Sequence, residues 1–154
     1  MRRACADVEW FEDYRIGDQF AGLPAEFTED EIISFAQRYD PQPFHIDCVS
    51  AEAAHFGGLI ASGTHVFAVV WGSIIGAGFL NGRGMGADIV QLHFLKPARP
   101  GDVVTAITTV RETRPSSTRT DRGYVNFESD ITNQNSDLVL KFTHRQIIAT
   151  RPSD

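Results

Sequence analysis

Polar and apolar residues change period halfway along the chain. In the second half, Val90, Leu92 and Phe94 alternate with Gln91 and His93, and Val125, Phe127 and Ile131 alternate with Asn126, Glu128 and Asp130. Leu138, Leu140 and Phe142 alternate with Val139, Lys141 and Thr143, while Val103 to Val110 is rich in Val, Ile and Thr. A period of two marks strands with one buried face, so four strands of an antiparallel sheet are expected. Turn residues at Pro100-Gly101-Asp102, around Pro115 to Arg122 and at Asn133 to Asp137 separate them.

The first half has no such alternation. From Val66 to Leu80 the chain is almost wholly apolar, with Ser62 offering a helix N-cap ahead of it. That run is too short for a comfortable membrane span and predicts a helix buried on all sides, where Gly72, Gly76 and Gly78 let a sheet approach closely. Upstream, Thr28-Glu29-Asp30-Glu31 is a capping box that predicts a second helix, with Ile32, Ile33, Phe35 and Ala36 on its buried face and an end near Tyr39. Trp10 to Phe20 predicts an opening strand containing or ending at the turn Ile16-Gly17-Asp18. Residues 46–60 predict a short helical or looping excursion that returns through Gly57 and Gly58. No repeat or linker breaks the chain, so residues 1–154 are expected to form a single domain with an ordered core from roughly residue 8 to residue 150.

The candidate chemistry lies between the two helices, in Asp40-Pro41-Gln42-Pro43-Phe44-His45 and in Phe56-Gly57-Gly58-Leu59-Ile60-Ala61-Ser62-Gly63. Pro41 and Pro43 lack amide protons, and Pro41 pushes Asp40 out of the helical region, so the segment is expected to be extended or turned. A carboxylate and an imidazole on a stiffened backbone suit proton transfer, although Asp-Pro is also a common helix stop. Asp40 just past a helix C-terminus is expected to feel the negative end of the dipole, and enclosure by Phe44 would raise its pKa further.

This pattern resembles the MaoC-like dehydratases, the hot-dog-fold family that includes the (R)-specific enoyl-CoA hydratases, or hydratase 2. Their signature is Asp-x-Asn-Pro-x-His, then a Gly-rich stretch ending at a Gly that opens a buried helix. Asp40, Pro43, His45 and Gly63 match it, and Gln42 stands where the family often has Asn. The resemblance runs from Phe11-Glu12-Asp13-Tyr14 to the last strand. It implies an α+β hot-dog domain, an antiparallel β-sheet wrapped around a long buried central helix. It also implies a lyase of fatty acid metabolism that reversibly adds water to trans-2-enoyl-CoA, giving (R)-3-hydroxyacyl-CoA.

By the same resemblance, Asp40 and His45 are the catalytic pair holding one water. The Gly63 backbone amide is the oxyanion donor, and Ser62 and Trp71 are substrate-binding residues. Trp71 lies eight residues past Gly63, where some related hydratases have a small serine, so it is expected to close the acyl pocket early; Phe67 and Phe79 are further candidates on that helix. The chemistry needs no metal or redox cofactor. The substrate is an acyl-CoA or acyl-carrier thioester, and Arg83, Lys96, Arg99, Arg114, Arg119 and Arg122 are candidates for contacts to coenzyme A phosphates. An exposed edge strand implies a homodimer or a dimer of dimers. Two alternatives stand beside the hydratase: a hot-dog acyl-CoA thioesterase, and a non-catalytic acyl-thioester-binding accessory subunit.

Composition narrows the setting. A formal net charge of -6, from 14 basic and 20 acidic residues, argues against a general nucleic-acid surface. Half of the basic residues lie between Arg83 and Arg122, which leaves room for a local positive rim. Two cysteines, Cys5 and Cys48, make no disulfide framework, and a reducing, cytoplasmic setting is expected. His45, Asp47, Cys48 and His55 lack the tight paired spacing of a zinc site, so no metal is expected. Asp7, Glu9, Glu12 and Asp13 replace the apolar core that a signal peptide would need, and no membrane partner is expected.

Overall fold

Thr28 starts the first helix. In the computed structural model, which describes residues 1–53 and 55–153, its hydroxyl accepts from the Glu31 amide at 3.3 Å and donates to the Glu31 carboxylate at 2.7 Å. The helix α1 (Glu29–Tyr39) buries Ile32 and Ala36 completely, with Ile33 and Phe35 half-buried, and ends with the Asp40 amide bonded to the Ala36 carbonyl. The proline segment is extended at Gln42 and then turns. Pro43–Ile46 forms a single helical turn, α2, because proline is tolerated at the first helical position, where no amide proton is needed. The expected excursion follows as α3 (Cys48–Ala53) and a return through Gly57 and Gly58, whose φ of 66° and 152° are glycine conformations.

The opening strand is shorter than the sequence suggests. The Asp13 carboxylate accepts the amides of Glu9 and Trp10 at 3.1 and 2.9 Å, which winds Phe11–Asp13 into a 3-10 turn. Extended structure begins only at β1 (Gln19–Ala21), followed by the two-residue β2 (Ala25–Glu26). The four predicted strands are present as β3 (Gly84–Phe94), β4 (Val103–Pro115), β5 (Arg122–Thr132) and β6 (Leu138–Ala149). Among the described residues these strands pair antiparallel, in the order β1-β4-β5-β6-β3 with β2 also on β4, and a lone parallel bridge joins Arg2 to Gln19 of β1.

The apolar run forms the central helix, α4 (Gly63–Gly76), which packs against β4, β2 and α1. Val66, Val70 and Ile74 join a core that includes Phe20, Phe27, Phe127 and Phe142. Each fully buried aromatic of this kind contributes roughly 1.5–3 kcal/mol. Burial on all sides, expected from the sequence, does not hold within one chain. Ala68, Gly72, Ile75 and Gly76 are exposed, and a Cβ on Gly72 would meet nothing within 4 Å. The whole of β3 is exposed as well, Val90 by 65%. Among the described residues, no helix is long and apolar enough to cross a membrane.

Candidate active site

Three local structures meet at the start of α4. The end of α1 delivers Asp40, the α2 turn delivers His45, and the first residues of α4 deliver Ser62, Gly63 and Thr64. The buried His45 ring donates from Nδ1 to the Ile60 carbonyl at 2.7 Å. A carbonyl only accepts, so in the neutral ring Nε2 carries the lone pair. That nitrogen lies 3.5 Å from Asp40 Oδ2.

Asp40 is held from both sides. Oδ2 accepts from the Ser62 hydroxyl at 2.6 Å, and Oδ1 accepts from the Gln42 side-chain amide at 2.8 Å. Gln42 therefore bonds the carboxylate from the position where the family often has Asn. The expectation of a raised pKa is overturned: the Ser62 bond first, then the Gln42 bond, lower it, with burial opposing and His45 assisting. A helix end is worth about 0.3–1 kcal/mol, whereas each hydrogen bond to a charged group is worth about 1.5–3 kcal/mol, so the bonds win. The carboxylate's side chain is also 26% exposed, which keeps the cost of burial small.

A cavity of about 490 Å³ opens on this pair. Asp40, Gln42, His45, Gly63 and Thr64 share its wall with apolar groups that include Phe44, Ile60, Val66, Phe94 and Val139. Gly63 lets the Phe94 ring lie close there, since a Cβ would come 2.9 Å from it and the ring would have to move. Ser62 occupies the N-cap position but makes no side-chain cap, since its hydroxyl turns to Asp40. The amides of Gly63, Thr64 and His65 have no acceptor among the described residues. Free amides at the positive end of a helix suit an oxyanion.

The structure thus brings Asp40, His45 and Gly63 to one wall, and it places the other two expected residues elsewhere. Ser62 is completely buried and is not part of the cavity lining. Trp71 is half-buried more than two turns along α4, against Phe67, Phe142 and His144, and it too is absent from the lining. Phe67 and Phe79 are likewise off the wall. Of the six basic candidates for coenzyme A phosphates, Lys96 lines the cavity, while Arg119 and Arg122 pair with Asp121. Sequence reasoning missed Thr64 and Phe94 as wall residues. Phe94 belongs to a strand alternation that marks core, and only its close approach to Gly63 distinguishes it. Among the described residues no group of three or more His, Cys, Asp or Glu is arranged to hold a metal.

Comparison with solved structures places this geometry in context. The chain is 35% identical to a MaoC-like dehydratase from Rhodospirillum rubrum, with a TM-score of 0.86 over 95% of this chain and 100% of that one. The R-hydratase PhaJ1 from Pseudomonas aeruginosa is 20% identical, with a TM-score of 0.72 over 93% of this chain and 86% of that one, and shares the fold. A Mycobacterium tuberculosis protein with a double hot-dog fold is 18% identical, with a TM-score of 0.75 over 97% of this chain and 46% of that one. The hot-dog architecture expected from the sequence is therefore present, as an α+β antiparallel sheet with its helix. The MaoC like domain model matches residues 13–130, a span that holds Asp40, His45 and Gly63 together, and on that match this chain belongs to the MaoC-like domain family.

Proposed function

We propose that this protein is a hydratase/dehydratase that reversibly adds water to trans-2-enoyl-CoA, giving (R)-3-hydroxyacyl-CoA. The observation that carries the reading is the 3.5 Å approach of His45 Nε2 to Asp40 Oδ2 on a cavity wall that also holds Gly63. One water can donate to both acceptors at that separation. As its oxygen bonds C3 of the enoyl group, its proton passes to Nε2. The C2–C3 π pair shifts to C1–C2 and the carbonyl π pair to the thioester oxygen, where the free amides at the start of α4 receive the negative charge; the C1–C2 pair of this enolate then takes the proton at C2 as the carbonyl re-forms. The imidazolium then returns the proton to C2, with the ionised Asp40 stabilising it throughout. Dehydration runs the same steps backwards. The similarity to the Rhodospirillum rubrum MaoC-like dehydratase supports the same reaction class. The apolar wall of Ile60, Val66, Phe94 and Val139 suits an acyl chain.

The proposal includes assembly as a homodimer or a dimer of dimers. Its support is β3, a sheet edge with no outer neighbour among the described residues, on which Met85, Ile89, Val90, Leu92 and Phe94 are all exposed. Such an edge is normally covered by another copy. A role in fatty acid metabolism and a reducing, cytoplasmic setting belong to the same proposal.

Purified protein incubated with crotonyl-CoA should lose enoyl absorbance without releasing free thiol. Thiol release without hydration would make it a thioesterase. No turnover across a chain-length panel would leave an acyl-binding subunit.

A further inference from the structure

Ser62 has no exposed surface, and its hydroxyl is spent away from the helix it begins. Its Oγ lies 2.6 Å from Asp40 Oδ2 and 2.8 Å from Thr64 Oγ1. Oδ2 is also the carboxylate oxygen facing His45 Nε2, whereas Oδ1 is held by Gln42. A serine has one proton to give. With Asp40 ionised that proton goes to Oδ2, so Ser62 must accept from Thr64, which is exposed and lines the cavity. The bonds then run from Thr64 to Ser62 to Asp40, each directed at the carboxylate. The Thr64 hydroxyl proton is then committed to Ser62, so toward any other group that hydroxyl can only accept.

We propose that Ser62, oriented by Thr64, is a positioning residue that fixes the Asp40 oxygen facing His45, and that it does not touch substrate. The inference rests on the hydration reading for its kinetic consequence but not for the contact itself. It also accounts for the missing N-cap bond: a hydroxyl turned to Asp40 leaves the first amides of α4 without a side-chain acceptor. On the other side of Asp40, His45 of α2 is the titratable group in reach; Lys96 lines the same cavity but is paired with Asp137 at 2.8 Å. The lowered pKa of Asp40, for which the Ser62 bond is the leading cause, agrees with this arrangement.

The test uses Ser62→Ala and Thr64→Val, with Thr64→Ser as the conservative control, assayed on crotonyl-CoA and by carboxyl carbon NMR titration of Asp40. Ser62→Ala should lower kcat on the order of 10-fold or more, with KM within about threefold of the parent. Its Asp40 carboxyl should titrate at higher pH than in the parent protein. Thr64→Val should move both readouts in the same direction, and Thr64→Ser should restore them. A raised KM with unchanged kcat would make Ser62 a substrate contact, and an Asp40 titration unmoved in both variants would overturn the proposal. If Ser62→Ala fails to fold, Thr64→Val, at an exposed side chain, decides alone. If the parent protein hydrates no enoyl thioester, the reaction reading fails while the carboxyl titration still decides the role of Ser62.

Discussion

Asp40 accepts one bond at each oxygen, from Gln42 at 2.8 Å and Ser62 at 2.6 Å, and these hold its proton affinity below that of an ordinary carboxyl. A depressed carboxylate contributes stability above its unfolded pKa, near 4, and loses it as the pH falls through the folded value. Asp40 is thus kept ionised through the neutral range, the state that the proposed reaction uses. Trp71 belongs to packing by its contacts: its ring meets His144 edge-on at 5.3 Å and lies near-parallel to Phe67 at 6.3 Å. Trp71→Ala should therefore cost roughly 2–4 kcal/mol, read from a denaturant midpoint, and leave the preference between four- and eight-carbon enoyl-CoAs unchanged. A shift toward the longer substrate would return Trp71 to the acyl pocket. The residues of the proposed proton-handling pair were legible in the sequence because a proline-stiffened segment holds both. The environment of Asp40 was not, since Ser62 reaches it across 22 positions of chain and the N-cap signal at Ser62 pointed to a different partner.

At the scale of elements, α1 and the four long strands were legible because their signals are local: a capping box for one, a two-residue period for the others. The opening segment failed for a local reason too, the Asp13 carboxylate that winds Phe11–Asp13 into a turn. Strand β6 carries a further consequence on its core face, where His144 stacks on Phe127 at 5.2 Å and is almost completely buried. Its Nδ1 is 2.9 Å from the Gln146 amide, and its Nε2 has no partner among the described residues. Burial pushes its pKa down to about 4. An unfolded histidine titrates near 6.5, so between those values the unfolded chain binds the proton more readily and stability rises with pH. Stability should fall as pH drops through this window, by up to about 3 kcal/mol, and the contribution should level off below it. Urea midpoints across a pH series should show that slope, and His144→Phe should flatten it. A slope undiminished in the variant would assign the effect to other groups.

Across the whole molecule, the apolar run of α4 reads as a helix enclosed on every side, and one chain does not enclose it. Ile75 is 40% exposed, and β3 presents Ile89, Leu92 and Phe94 to solvent on an edge with no outer neighbour among the described residues. A second copy would supply the missing cover, and sedimentation should find a dimer or a multiple of one. A stable monomer with full activity would refute that assembly. Phe94 ties the edge to the site, since its ring rests on Gly63 at the cavity wall while remaining half exposed. In the proposed reaction, Asp40 and His45 together add water to an enoyl thioester. The most direct measurement is the chirality and rate of product formation from crotonyl-CoA by the parent protein, Asp40→Asn and His45→Ala, each checked for its fold. The parent should give the (R)-3-hydroxy product, and each variant should be slower by on the order of 100-fold or more. An (S)-product, or near-parental rates in either variant, would contradict the account.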